Sequence, residues 1–90
     1  MVENSVRSVA VVGAGLVGLG WAIVFSRAGL PVTIYDASAE ARAAAPGRLE
    51  ASLNDMKAAG LLDNAAEMLG RMRVVETLAD AVTDADYVQE

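Results

Sequence analysis

Three glycines, placed as Gly13-Ala14-Gly15-Leu16-Val17-Gly18 at the end of an apolar, β-branched run, constrain this chain more than any other feature. Val6 to Val12 reads as a strand buried on both faces, as in a parallel sheet, and the glycines allow a tight turn straight out of it. From Gly15 to Arg27 the residues suit a helix, and Ala28-Gly29 closes it with a glycine where a left-handed residue is wanted. Pro31 admits a second strand, Val32-Thr33-Ile34-Tyr35, which ends at Asp36. Residues 6–36 therefore read as a βαβ unit whose crossover is right-handed.

An alanine-rich helical segment follows from 38 to 70, with Ser38 as its N-cap and a stop at Gly60 before a shorter helix and turn over 61–70. Pro46-Gly47 predicts a kink or break, because proline removes one intrahelical bond and glycine adds backbone entropy. Beyond it Leu49, Leu53 and Met56 share one face. Further strands are expected near 72–76 and 86–89, with a turn or two of helix between them over 77–82. Strands alternating with helices imply an α/β fold, and the doubly wound pattern places the parallel strands in the order 3-2-1-4. That order opens a crevice between strands 1 and 4. Residues 1–90 are expected to form the N-terminal part of a dinucleotide-binding domain of this Rossmann type.

Each glycine of the fingerprint has a physical task in such a domain. Gly13 makes the turn, Gly15 lets a pyrophosphate approach the backbone without meeting a Cβ, and Gly18 lets the helix pack closely. Unpaired N–H groups and the positive end of the helix dipole then face the phosphates. Asp36 stands eighteen residues after Gly18, at the carboxyl end of strand 2, where an acid can accept both hydroxyls of the adenosine ribose. A carboxylate also repels a 2′-phosphate, and Ala37 and Ser38 supply no adjacent cation, so NAD is expected over NADP; Arg42 lies a turn further on. FAD is the rival, because Ala22 and Gly29 stand where flavoproteins use small residues, although such proteins more often end strand 2 in Glu. The bland reading is that the glycines only form a turn and Asp36 only begins a helix.

Composition narrows the chemistry. The 90 residues hold no His and no Cys, so imidazole or thiolate catalysis and structural zinc have no groups here. A formal charge of −5 offers no electropositive footprint for nucleic acid. Ser8 to Ser26 carries no charge, but its glycines weaken a membrane-spanning helix, and Glu3 spoils the cationic start of a signal peptide. No membrane partner is expected, and the cytoplasm is the default compartment. Asp80, Asp84 and Asp86 lack calcium-loop spacing and read as acidic surface, so no metal site is expected. Met56, Met68 and Met72 read as gap fillers, and Trp21 as a packing residue near Val17, Val24 and Phe25. The helix from Leu16 to Phe25 is apolar nearly all round, more than one sheet face can cover, which implies another layer.

With these residues in place, the chain resembles the 3-hydroxyacyl-CoA dehydrogenase family. The likeness rests on Val9 to Gly18, Trp21-Ala22, Phe25 and Val32 to Asp36. Trp21-Ala22, with the ending Ala79-Asp80-Ala81-Val82 and Ala85 to Glu90, is most similar to the branch holding L-gulonate 3-dehydrogenase, lambda-crystallin and carnitine dehydrogenase. Pro46-Gly47 departs from the family's uninterrupted helix. The resemblance implies an oxidoreductase, in fatty acid metabolism or a related route, that moves hydride between a 3-hydroxy group and NAD through a downstream His–Glu pair. It assigns no catalytic residue to these positions. It assigns cofactor contacts to Gly13, Gly15, Gly18 and Asp36, with Leu16 and Val17 lining the phosphate turn. Glu90 matches an acid beside the cofactor crevice or is a solvated chain end. An edge strand at 86–89 further implies that the rest of a parent enzyme, or a homo-oligomer partner, covers it. Alone, the chain is expected to bind the ADP portion of NAD weakly; the alternative is a non-catalytic nucleotide-binding or interaction module.

Overall fold

The sheet is built around β1 (Val9–Val12), whose residues Val9, Ala10 and Val11 are fully buried, as a strand covered on both faces requires. A computed structural model describes residues 6–90. After β1 come α1 (Leu16–Arg27), β2 (Val32–Tyr35), α2 (Ala39–Ala58), α3 (Ala65–Gly70), β3 (Met72–Val74), α4 (Leu78–Val82) and β4 (Tyr87–Gln89). The four strands are parallel in the order β3-β2-β1-β4, as the sequence predicts. Val9 pairs with Val32 on one side and Tyr87 on the other. The uncharged stretch from Ser8 to Ser26 is divided between β1 and α1, and no helix among the described residues is long and apolar enough to cross a membrane.

Two local expectations are corrected. The first strand starts at Val9 rather than Val6, because the N–H groups of Arg7 and Ser8 donate to the Asp86 carboxylate instead of to a neighbouring strand. The predicted break at Pro46-Gly47 does not occur: α2 is helical from Ala39 to Ala58. Ala45, Leu49 and Leu53, four residues apart on one face, are all buried and hold both halves of the helix on the core. That burial offsets the bond lost at Pro46, which itself lies exposed. Met56 is only half-buried, so the face predicted for Leu49, Leu53 and Met56 fades at its carboxyl end.

Helix α1 buries Leu19, Ala22 and Ser26 against the sheet and α3. Ser26 is fully buried; its hydroxyl donates to the Met68 carbonyl at 2.7 Å, while Arg71 Nη1 donates to the Ser26 carbonyl at 2.9 Å. Ser26→Ala is expected to cost about 1 kcal/mol rather than more, because Met68 O keeps the Arg71 N–H as a donor. Chemical denaturation measures it, and an unchanged midpoint would exclude this bond as a brace. The opposite face of α1 is uncovered: Leu16, Val17 and Val24 are 88%, 77% and 55% exposed.

Candidate functional site

The glycine turn begins where β1 ends. Gly13 has φ +118°, a region closed to most side chains, and its N–H donates to the Tyr35 carbonyl at 2.7 Å, tying the turn to the end of β2. Gly15 caps α1 in extended conformation. Neither a capping side chain nor a first-turn acid occupies this helix end among the described residues, so its first N–H groups face outward without side-chain partners. A methyl group on Gly15 would meet nothing within 4 Å, whereas one on Gly18 would strike the Gly13 carbonyl oxygen. Gly15 therefore leaves open space above the turn, and Gly18 permits contact between helix and turn.

Asp36 follows β2 directly and is bound into the same turn. Ala14 N–H donates to its Oδ2 at 2.8 Å, and Ser38 N–H donates to its Oδ1 at 2.8 Å. These two N–H groups, Ala14 first and Ser38 second, hold the carboxyl below the usual carboxylate range against a small opposing desolvation; Arg42 adds a lesser pull. An ionised carboxylate has about four lone-pair positions, so two remain for an incoming donor pair. Ser38 accepts from Ala41 N–H at 3.2 Å and caps α2.

At the carboxyl ends of β1 and β4, beside the first turns of α1, lies a cavity of about 440 Å³. Gly13, Gly15, Leu16, Val17, Gly18 and Glu90 all line it, with Val11, Val12, Trp21 and Gln89. Asp36 is not on its wall: it stands on the β2 side of the glycine turn, reached through Ala14 N–H. An extended ligand with a carboxylate-seeking end and an anionic middle could therefore straddle the turn. Among the described residues no cluster of three His, Cys, Asp or Glu could hold a metal ion.

Trp21 packs on Phe25, as its reading as a packing residue expects, but it also borders the cavity. It is 41% exposed, lines the cavity, and stacks on Phe25 with centroids 5.7 Å apart; Phe25 meets Tyr87 of β4 edge-on at 5.9 Å. Its position was legible, since residues 17, 18 and 21 share a helix face. Gln89 was missed because a strand end carries no such signal.

A parallel 3-2-1-4 sheet with a glycine turn at β1 and a carboxylate at the end of β2 defines a Rossmann-type dinucleotide-binding domain. More narrowly, the chain belongs to the 3-hydroxyacyl-CoA dehydrogenase family: residues 8–90 match the family model described as 3-hydroxyacyl-CoA dehydrogenase, NAD binding domain. The cofactor of this domain is NAD, which favours the dehydrogenase reading over FAD. An L-carnitine dehydrogenase of Nocardiopsis dassonvillei is 38% identical over 87 residues, covering 97% of this chain and 26% of that protein. A 3-hydroxyacyl-CoA dehydrogenase of Gibberella moniliformis is 34% identical over 87 residues, with 97% and 26% covered. Among solved structures, 3-hydroxybutyryl-CoA dehydrogenase of Escherichia coli K12 superposes with a TM-score of 0.83 at 36% identity, covering 93% of this chain and 18% of that one. A diketoreductase does so with a TM-score of 0.83 at 36% identity, covering 96% and 31%. The chain thus spans about a quarter of the length of the curated relatives it matches.

Proposed function

We propose that this chain is the cofactor-holding part of an oxidoreductase that transfers hydride between a 3-hydroxy substrate and NAD, with the cytoplasm as its compartment. The observation that carries the reading is the Ala14 N–H to Asp36 bond, which makes the phosphate turn and the ribose acid one rigid unit. In this reading the pyrophosphate lies over Gly13, Gly15 and Gly18, with the first N–H groups of α1 turned toward it. Asp36 accepts the two hydroxyls of the adenosine ribose, while Leu16, Val17 and Glu90 border the half of the cofactor that enters the cavity. Bound NAD supplies the hydride acceptor; the chain's own residues bind, orient and shield it. Proton transfer and substrate binding fall to groups outside these 90 residues, and relatives named for 3-hydroxyacyl-CoA and L-carnitine set the classes of 3-hydroxy compound to try first.

Trp21 provides the assay, being the chain's single tryptophan and lying in the cavity wall. NAD is expected to quench its fluorescence, with AMP weaker and NADP and FAD weaker still. Tighter binding of FAD than of NAD by the folded chain would overturn the reading. The uncovered Leu16, Val17 and Val24 face supports docking against the remainder of the parent enzyme or a second copy of the chain.

A further inference from the structure

Arg42 touches the Asp36 turn from behind. Its Nη1 donates to the carbonyl oxygen of Asp36 at 2.8 Å and, more weakly, to that of Ala37 at 3.4 Å. Its guanidinium carbon stands 5.9 Å from the centre of the Tyr35 ring. One cation therefore contacts three consecutive residues where β2 leaves the sheet. The planar guanidinium suits this task, because it can hydrogen-bond in its plane while its face lies on a ring. Meanwhile the Asp36 carboxyl group is held from the other side by Ala14 and Ser38 N–H groups. Peptide planes fixed by Arg42 and a carboxylate fixed by backbone amides leave the acid little freedom to turn.

We propose that Arg42 is a positioning residue that fixes the backbone of residues 35–37 and thereby sets the chain's preference for an unphosphorylated adenosine ribose. This rests on the NAD reading and adds to it a determinant outside the glycine turn. The rival role for an arginine near this acid is to receive a 2′-phosphate. Here one guanidinium nitrogen, Nη1, is committed to two carbonyls and the guanidinium lies over a ring, so a phosphate would have to bind the remaining N–H groups beside the Asp36 negative charge.

The two roles make opposite predictions for Arg42→Gln. Positioning predicts that NAD binding weakens about five- to tenfold, roughly the worth of one ordinary hydrogen bond, while NADP binding changes less than about twofold. Arg42→Lys keeps the charge and a donor group without the planar fork and is expected to recover part of the NAD affinity. Preferential loss of NADP would overturn the proposal in favour of a phosphate receptor. Equal loss of both nucleotides would overturn it in favour of a merely structural arginine. A measurement without nucleotide separates this from the parent reading: amide exchange at Ala14 and Ser38, followed by NMR on the same folded variants. Faster exchange at both in Arg42→Gln, partly restored in Arg42→Lys, supports positioning, and unchanged exchange overturns it. Failure of the folded wild-type chain to bind any nucleotide would instead sink the dinucleotide reading and with it the ribose preference assigned to Arg42, while the exchange data would still decide whether Arg42 holds the turn.

Discussion

Gly18→Ala is expected to destabilise the chain by about 3 kcal/mol, at the upper end of ordinary overpacking. The added Cβ would strike the Gly13 carbonyl oxygen and lie 2.8 Å from the Gly13 carbonyl carbon, both rigid backbone atoms. Against this stands a gain of about 1 kcal/mol, because alanine is the better helix former inside α1. The collision wins, since the atoms struck belong to the Gly13 backbone, which its N–H bond to Tyr35 holds in place. In a domain of this size the melting temperature should fall by about 10 °C or more. Gly15→Ala is the matched control. Its Cβ meets nothing within 4 Å and its backbone is extended, so the melting temperature should hold while NAD affinity drops. A Gly18→Ala protein as stable as wild type would show that helix and turn are not in contact, whatever its effect on binding.

That contrast marks what could be read from the sequence and what could not. The strand order and the βαβ unit were legible because they follow from local signals that agree: a β-branched run, glycines, helix formers and a closing Gly29 at φ +93°. Pro46 misled because the sequence shows the lost hydrogen bond but not the tertiary packing that buries Ala45, Leu49 and Leu53 on either side of it. Gly18 was assigned close packing correctly in kind, but its main neighbour is the Gly13 carbonyl of the turn, with the Val11 side chain 3.5 Å away. Asp36 was singled out by its spacing from Gly18 and its place at the end of strand 2. Its bond to Ala14, twenty-two residues earlier, depends on the register of β1 with β2, which places Val12 beside Tyr35. Arg42 was seen only as too distant to receive a phosphate, because its carbonyl contacts depend on how the turn bends.

Asp36→Ala is the substitution expected to damage cofactor binding most. It removes the acceptors for two ribose hydroxyls and leaves the N–H groups of Ala14 and Ser38 without their carboxylate. Two charge-assisted hydrogen bonds, discounted for partial exposure, are worth about 3 kcal/mol, so NAD affinity should fall about a hundredfold. NADP should lose far less, because the same change removes a repulsion, and the preference for NAD should narrow. Asp36→Asn sharpens the test: an amide has one acceptor oxygen and one donor nitrogen, so one of the two backbone N–H groups must face a donor. It should therefore bind NAD almost as poorly as Asp36→Ala despite its similar shape. The pH dependence has a definite sign. Because the native carboxyl is held below its ordinary value by those N–H groups, its contribution to stability is fully present above the unfolded carboxylate pKa of about 3.9 and is lost as pH falls through the lower native value. Through Asp36 alone, NAD affinity is then flat from about pH 5 to 8 and falls only on the acid side of about pH 4. Calorimetric titration of the two variants with both nucleotides checks the magnitudes, and unchanged discrimination between NAD and NADP in Asp36→Ala would remove this residue from the ribose site.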